Sequence, residues 1–286
     1  MMVIVGWLVA LACIFGAYVA IGGPIAALVQ PTKFIMIFGG ALGAFIAANN
    51  AHALKHTIAG LLSCFKGSKY TRTFYMELLA LLFELLAKVR KEGLMSLEAD
   101  VEEPDKSPIF NKYPTVIADH HVVEFITDYL RLMVGGNLNA LEIENLMDNE
   151  IETHQQEEMH ISHAVAKMSD ALPAFGIVAA VMGVVITMGS LHLPPPELGG
   201  LIAKALVGAF LGILLSYGFM APLASVLETK ANESTKVYQT VKVTLLASLN
   251  GFSPQVAVEF GRKVLYSNER PSFRELEEDI KSRKGK

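Results

Sequence analysis

The sequence has little charge. Asp, Glu, Lys and Arg make up only 18% of its 286 residues, whereas hydrophobic residues make up 52% and the mean hydropathy is +0.41. A soluble domain of this length carries more charge on its surface, so the composition predicts a membrane protein. A formal net charge of −4 argues against nucleic acid as a partner, because a face that binds phosphates must be basic.

Signatures of catalysis and of metal binding are missing from the sequence as well. It contains no Walker A loop, GxGxxG fingerprint, GxSxG elbow or CxxC pair, so neither an enzyme activity nor a cofactor is predicted. His52 and His56, like His160 and His163, lack the HExxH form and further ligands, so no metal site is predicted. The two cysteines lie in or beside apolar runs and are predicted to pack rather than to form a disulfide.

Long apolar runs are what the sequence has instead. Four segments reach the length of about 20 mostly apolar residues that a membrane-spanning helix requires. They are residues 2–21, 34–51, 172–191 and 201–221. The connection within each pair is short, so we predict an all-α polytopic membrane protein with four transmembrane helices in two hairpins and a helical cytoplasmic domain.

The distribution of positive charge predicts the topology and the domains. Of 24 Lys and Arg residues, 11 lie in residues 52–171 and 11 in residues 222–286. Positive residues are retained on the cytoplasmic side, so both termini and the middle region are expected in the cytoplasm. The predicted domains are a first hairpin (1–51), a cytoplasmic helical domain (52–171), a second hairpin (172–221), and C-terminal cytoplasmic helices with a tail (222–286).

Helical patterns run through the middle and C-terminal regions. Residues 74–93 are rich in helix formers, but Glu77 and Glu84 interrupt their apolar core, so a buried or interfacial helix is predicted rather than a fifth span. Residues 122–136 repeat apolar positions every three or four residues and stop at a double glycine, which is typical of a helix end. The polar, charged tail from Ser267 is predicted to be loosely ordered.

The apolar segments contain no carboxylate. After Asp170 no Asp, Glu, Lys or Arg appears until Glu197, and Lys204 is predicted to lie near the outer membrane boundary. Ionisable groups in the membrane interior usually mark ion routes. If this protein moves protons, a partner must therefore supply the group that binds and releases them.

Small residues recur at helical spacing in two of the spans. Gly39 and Gly43 stand one turn apart, and so do Gly208 and Gly212. Glycines at this spacing let helix backbones approach closely, which is how helices pack in lipid. The pattern indicates either packing within one chain or a seam with another subunit.

Two prolines lie where predicted spans meet the cytoplasm. Pro173 is harmless if it occupies the first position of a helix. If the polar helix predicted over residues 138–170 continues into the third span, Pro173 is instead an interior proline that removes a hydrogen bond and bends the helix. Pro222 is predicted to end the fourth span.

Residues 87–106 change the sign of their charge along their length. Basic residues, among them Lys88 and Arg90, come first, and five acidic residues follow between Glu98 and Asp105. Such a run is either a solvated face or a surface that meets a partner of complementary charge.

Three motifs carry a resemblance to a known family. They are "LPAFGIVAAVMGVV" (172–185), "GLIAKALVGAFLGILLSYGFMAPLA" (200–224) and "VRKEGLMSLEADVE" (89–102). These motifs resemble the MotA family of flagellar stator subunits, which is related more distantly to ExbB and TolQ, and the resemblance covers essentially the whole chain. It implies a bacterial inner-membrane protein that forms a ring of five copies around two copies of MotB.

The resemblance also implies roles for individual residues. In this family each MotB contributes one transmembrane helix with an essential aspartate, and the third and fourth spans of the ring line that helix. Pro173 and Pro222 match the two prolines that transmit protonation of the aspartate into conformational change. Arg90 and Glu98 match the charged pair that meets the rotor protein FliG.

Ion choice follows from two further positions that the resemblance implies. Sodium-driven relatives carry threonine at the positions that match Ala180 and Ala209, whereas alanine offers no oxygen ligand to a hard cation. Together with Tyr217, which is polar only at its tip, these residues define the predicted ion path, and proton coupling is expected. The alternatives are an ExbB/TolQ-type energiser of an outer-membrane process and a non-conducting membrane scaffold.

Overall fold

A computed structural model describes residues 2–136 and 138–284, and these residues form helices joined by turns. No β-strand occurs within those two ranges, which confirms the predicted all-α fold. In chain order the α-helices are α1 (Met2–Ala20), α2 (Ile25–Leu28), α3 (Pro31–Ala48), α4 (Ala51–Ser63), α5 (Arg72–Glu92), α6 (Glu98–Glu102), α7 (Pro114–Ile117), α8 (His120–Gly135), α9 (Ala140–Met188), α10 (Pro195–Ile213), α11 (Ala221–Leu249), α12 (Pro254–Val264) and α13 (Phe273–Lys284).

Shorter helical turns complete the described structure. A π-helical turn, Leu214–Met220, joins α10 to α11. Three 3₁₀ turns lie between α5 and α7, at Leu94–Leu97, Pro104–Lys106 and Phe110–Lys112.

The chain folds into two compact units. Unit 1 consists of Met1–Gly67 and Glu157–Thr229, and unit 2 consists of Ser68–Gln156 and Lys230–Lys286. This division follows packing within the chain and not the borders of a membrane. The domain boundaries that charge predicts therefore stay predictions.

Four helical segments of the described chain are long and apolar enough to cross a membrane, and each covers most or all of one predicted span. They are Met2–Ala20, Ile25–Ala48, Ala140–Met188 and Pro195–Leu249. Helix α1 buries none of its residues against the rest of the chain, and Leu8 is 62% exposed. Lipid, unlike water, accommodates such exposed apolar side chains.

The helices extend beyond several of the predicted span limits. Helix α3 begins at Pro31 rather than at residue 34, so Lys33 lies inside the helix. Helix α9 runs through Pro173 without a break. Helical structure also continues through Pro222, in agreement with the helical pattern after this proline, and the end of the fourth span at Pro222 stays a prediction. Hydropathy marks an apolar run, whereas a helix ends only where its backbone hydrogen bonds end.

The core of unit 2 is built around α5. Ten residues of this helix are buried, and Leu78, Leu81 and Leu82 are completely inaccessible. Glu77 is buried as well, and its carboxylate accepts hydrogen bonds from the backbone N–H (2.9 Å) and the hydroxyl (2.6 Å) of Thr115. The predicted buried helix is therefore confirmed, and its carboxylate is satisfied locally.

Glycine follows the C-terminal ends of α8 and α11, and the first of these two ends is the predicted one. Helix α8 is followed by Gly136, whose φ of 65° lies in the left-handed region that favours glycine. Helix α11 ends at Leu249, and Gly251 has a φ of 83°.

The tail is more ordered than predicted, because α13 forms within it. Ser272 and Glu275 make a capping box: the Glu275 carboxylate accepts from the Ser272 backbone N–H (2.7 Å), and the Ser272 hydroxyl accepts from the Glu275 N–H (3.3 Å). Leu276 is 5% exposed and joins the core of unit 2. The S-x-x-E signature of this capping box is visible in the sequence at residues 272–275.

Candidate functional site

A glycine seam joins α9 to α10 in unit 1. A Cβ atom added to Gly176 would lie 2.9 Å from the carbonyl oxygen of Gly208, and one added to Gly212 would lie 2.7 Å from the carbonyl oxygen of Leu172. Real Cβ atoms do not approach backbone atoms so closely, so the two helices touch through their backbones. For Gly208 and Gly212 the interpretation as packing within one chain is correct.

The second glycine pair lies in a different environment. A Cβ added to Gly39 or to Gly43 would meet no atom of the described chain within 4 Å. The opposite face of α3 is buried, with Ile37 and Ala41 at 0% exposure. Packing within the chain therefore does not explain this pair, and a seam with another subunit stays a prediction.

Pro173 lies in the interior of α9 and not at its first position. The interpretation as an interior proline is therefore the correct one, and the residue cannot donate the helical hydrogen bond to Ser169. It also borders the seam, since a Cβ on Gly212 would lie 3.2 Å from the Cα of Pro173.

Pro222 is the second residue after the π-helical turn, which ends at Met220. The backbone N–H of Ala221 donates to the carbonyl oxygen of Ser216, five residues back instead of four. A proline ring crowds the carbonyl of the preceding turn, and a wider π turn is one way for a helix to pass such a residue. The sequence shows the proline, but it contains no signal that locates the π turn.

A pair of buried hydroxyls links the two proline-bearing regions within unit 1. Ser169 and Ser216 are 2% and 1% exposed, and their Oγ atoms lie 3.0 Å apart. The Ser169 hydroxyl also donates to the carbonyl oxygen of Ser216 at 3.2 Å. The sequence analysis does not predict this pair. The available signal is Ser216, a polar residue within the apolar run 201–221.

The remaining ion-path candidates lie on α9, α10 and the π turn. Ala180 and Ala209 are half-buried. A Cβ on Gly208 would lie 2.9 Å from the backbone nitrogen of Ala180. Ala180 therefore packs against Gly208, the residue that precedes Ala209. Tyr217 is 67% exposed. The structure thus brings the two alanines to one helix interface and leaves the tyrosine on an outer face.

Most charges of the sign-changing segment in unit 2 are paired within the chain. Lys88 contacts Asp100 at 2.6 Å, and Arg131 contacts Glu102 at 2.8 Å, which raises the pKa of Arg131. Lys106 and Glu103 form a further pair at 2.9 Å.

Arg90 and Glu98 differ from these neighbours. Both side chains are exposed, and neither forms an ion pair with any other described residue. They flank a short turn that starts at Gly93, whose φ of 85° favours glycine. Beneath the turn, buried Asp100 accepts hydrogen bonds from Lys88 and from the hydroxyl of Ser107 at 2.5 Å. The hydrogen bonds of Asp100 therefore stabilise the segment that carries Arg90 and Glu98, which have no ion-pair partner among the described residues.

Comparison with known proteins identifies the family. The family model described as Motility protein A N-terminal matches residues 4–93, and that of the MotA/TolQ/ExbB proton channel family matches residues 118–240. Motility protein A of Salmonella typhimurium and that of Escherichia coli are each 54% identical to this chain, over 99% of its length and 96% of theirs. The chain belongs to the MotA family.

Further similarities extend over nearly the whole chain. The chemotaxis protein LafT of Vibrio parahaemolyticus is 36% identical over 98% of both chains. The flagellar MotAB stator complex from Bacillus subtilis matches with a TM-score of 0.72 and 25% identity, over 90% of this chain and 92% of that one. The C. jejuni MotAB structure, at 19% identity, matches in fold with a TM-score of 0.79 over 95% and 98%. The resemblance found in the three motifs is confirmed.

Proposed function

We propose that this chain is a stator subunit of the bacterial flagellar motor, which with a MotB-like partner forms a proton-conducting complex that exerts torque on the rotor. One observation carries the proposal. A chain 54% identical to motility protein A has apolar helices with no carboxylate between Asp170 and Glu197. Such a protein provides the walls of a proton path but not the group that titrates.

The titrating group is an aspartate on the single transmembrane helix of the partner. Solved relatives are MotAB complexes, which supports a partner of this kind. Ile177, Val181 and Val184 of α9 are 60%, 55% and 44% exposed, so an apolar helix or lipid can cover them. The face of α3 that carries Gly39 and Gly43 contacts no other part of the described chain, which favours contact with a second copy. We propose that five copies associate in this way into a ring.

Pro173 and Pro222 couple the partner's protonation to movement of this chain. Each removes a backbone hydrogen bond from its helix, and the Ser169–Ser216 contact connects their surroundings. A Pro173→Ala exchange restores the hydrogen bond and should therefore reduce motility. Unchanged motility would remove this proline from the coupling role.

Arg90 and Glu98 form the contact with the rotor protein FliG. Their lack of partners within the described chain leaves both charges available, whereas the neighbouring charges are already paired. Exposed complementary charges speed association and set its register more than they add affinity.

Protons rather than sodium ions drive the complex. Ala180 and Ala209 lack the hydroxyl oxygen that a hard cation would need, and Tyr217 is the polar residue of this path. One charge that crosses about 100 mV releases about 2.3 kcal/mol, so torque accumulates over many small steps.

The complex resides in the bacterial inner membrane, with the four spans in two hairpins and both termini in the cytoplasm. The distribution of Lys and Arg supports this topology. A cysteine-accessibility scan of the two termini in intact cells and in opened vesicles tests it.

Restoration of swimming tests the function. The chain and a MotB-like partner are produced together in a bacterium that lacks its own stator genes, and swimming speed is measured. Restored swimming supports the stator, whereas correct insertion without swimming or proton flux supports a scaffold. Rescue of an outer-membrane energising defect, without swimming, supports the ExbB/TolQ alternative. Proton current through the chain alone would contradict the need for a partner's aspartate.

Charge reversal at the surface of unit 2 tests the rotor contact. Arg90→Glu and Glu98→Lys should each lower speed under load, while assembly with the partner stays unchanged because neither residue supports the fold. Arg131→Glu is the control: its ion pairs with Glu102 and Asp128 lie within the chain, so its loss should affect stability first. Normal speed under load in both exchanges at 90 and 98 would exclude them from the contact.

A further inference from the structure

Lys33 occupies a position that is unfavourable for a lysine. It lies in the first turn of α3, where the helix dipole disfavours positive charge, and it is only 8% exposed. Its Nζ donates a hydrogen bond to the backbone carbonyl oxygen of Ala179 in α9, 146 positions away in sequence. This acceptor, rather than helix propensity, accounts for the burial of the side chain.

Gly183 provides the space for this hydrogen bond. The carbonyl of Ala179 points along α9 toward Gly183, one turn further on. A Cβ at Gly183 would lie 2.8 Å from the Nζ of Lys33 and 2.8 Å from the Cα of Ala205. Any side chain at Gly183 would therefore displace the lysine from its acceptor.

The acceptor lies on the far side of Pro173 from the polar part of α9. Ala179 comes six residues after Pro173 and directly before Ala180 in the proposed ion path. Because Pro173 cannot donate a helical hydrogen bond, α9 is weakest in the turn that precedes it. Contacts between small residues permit sliding, but a hydrogen bond to one carbonyl fixes a register between helices.

We infer that Lys33 is a positioning residue that holds the part of α9 beyond Pro173 in register with α3. With this part fixed, bending at Pro173 moves the turn that precedes the proline and leaves the wall at Ala180 in place. The inference rests on the proposed stator function, because it assigns Lys33 a role in that coupling. It concerns a contact within unit 1 alone.

Exchange of the donor tests this role in the full complex with the MotB-like partner. Lys33→Met keeps the length of the side chain and removes the donor, whereas Lys33→Arg keeps a donor. Lys204→Met is the matched control, since Lys204 is exposed and is the other Lys or Arg outside the predicted cytoplasmic regions. Membrane level, co-purification of the partner and torque per stator are measured for each.

Lys33→Met should lower torque per stator by about threefold or more at unchanged membrane level, because it removes a hydrogen bond between helices. Lys33→Arg should recover most of the loss, and Lys204→Met should match the wild type. If Lys33→Met is not inserted but Lys33→Arg is inserted and swims, the donor is still the cause. Wild-type torque in Lys33→Met, or equal losses in the Met and Arg variants, would overturn the inference. Absence of swimming in the wild type would instead reject the stator function itself.

Discussion

The two units of this chain differ in the residues that they expose and in the contacts that hold their helices together. In unit 2 the fully buried side chains are large and apolar, such as Leu81 and Phe110, and most charges lie at the surface. In unit 1 Ile186 is 66% exposed, whereas Lys33 and Ser169 are buried. Exclusion of water stabilises the first arrangement, while close backbone contact and hydrogen bonds between helices stabilise the second. Burial thus means something different in each unit.

The largest expected effect is on the apolar core of unit 2. Leu81→Ala removes a fully buried side chain and should lower the free energy of unfolding by about 2–5 kcal/mol. The same exchange at Leu8 of α1, which is 62% exposed, should change little. Thermal unfolding of the detergent-solubilised full chain, followed by circular dichroism, provides the measurement. Equal losses in both variants would show that the contrast between the units is wrong.

An intermediate effect is expected at the glycine seam of unit 1. Gly208→Ala places a Cβ 2.9 Å from the backbone nitrogen of Ala180, and such overpacking should destabilise the chain by about 1–3 kcal/mol. Gly43→Ala meets no described atom within 4 Å and should leave the isolated chain unaffected. Thermal unfolding compares the two variants. If Gly43→Ala, but not Gly208→Ala, loses co-purification of the partner, a second polypeptide packs against the face of α3 that carries Gly43.

The smallest effect concerns pH and is confined to unit 2. Two hydrogen bonds of 2.6 Å from Arg262 hold the pKa of Glu259 below its ordinary value. A lowered carboxyl pKa stabilises the fold above the ordinary value, and this contribution disappears as the pH falls through the lowered pKa. Glu259→Gln should therefore destabilise the chain by about 1–2 kcal/mol at pH 7 and by less below about pH 4.

Unfolding curves of the wild type and Glu259→Gln between pH 7 and pH 3 measure this difference. Lys263→Gln is the control, because Lys263 is exposed and 3.9 Å from Glu259. A difference that stays constant down to pH 3 would show that the Glu259 contact acts through packing and not through charge.

The sequence predicts the kinds of elements well, because their causes are local. Hydropathy locates the four apolar segments, and the double glycine at 135–136 locates the end of α8. Arg90 and Glu98, which form no ion pair within the described ranges, also belong to a motif that can be read directly from the sequence. Each of these features depends on a few neighbouring residues.

What the sequence does not predict depends on contacts between distant residues. Lys33 lies between the predicted spans 2–21 and 34–51, but its side chain reaches an acceptor 146 positions away. The Ser169–Ser216 contact joins residues 47 positions apart. The sequence also leaves open whether Pro173 begins a helix or lies inside one, and in the structure it lies inside α9. No local pattern specifies these three outcomes.

The π-helical turn sets the rotational phase of the residues that follow it. Each residue of an α-helix advances the chain by about 100° around the axis. A change of Leu214–Met220 from five-residue to four-residue hydrogen bonding would therefore rotate Ala221 and its successors without breaking the backbone. The seven residues of this turn thus determine which side chains of α11 lie on the same face as a given side chain of α10.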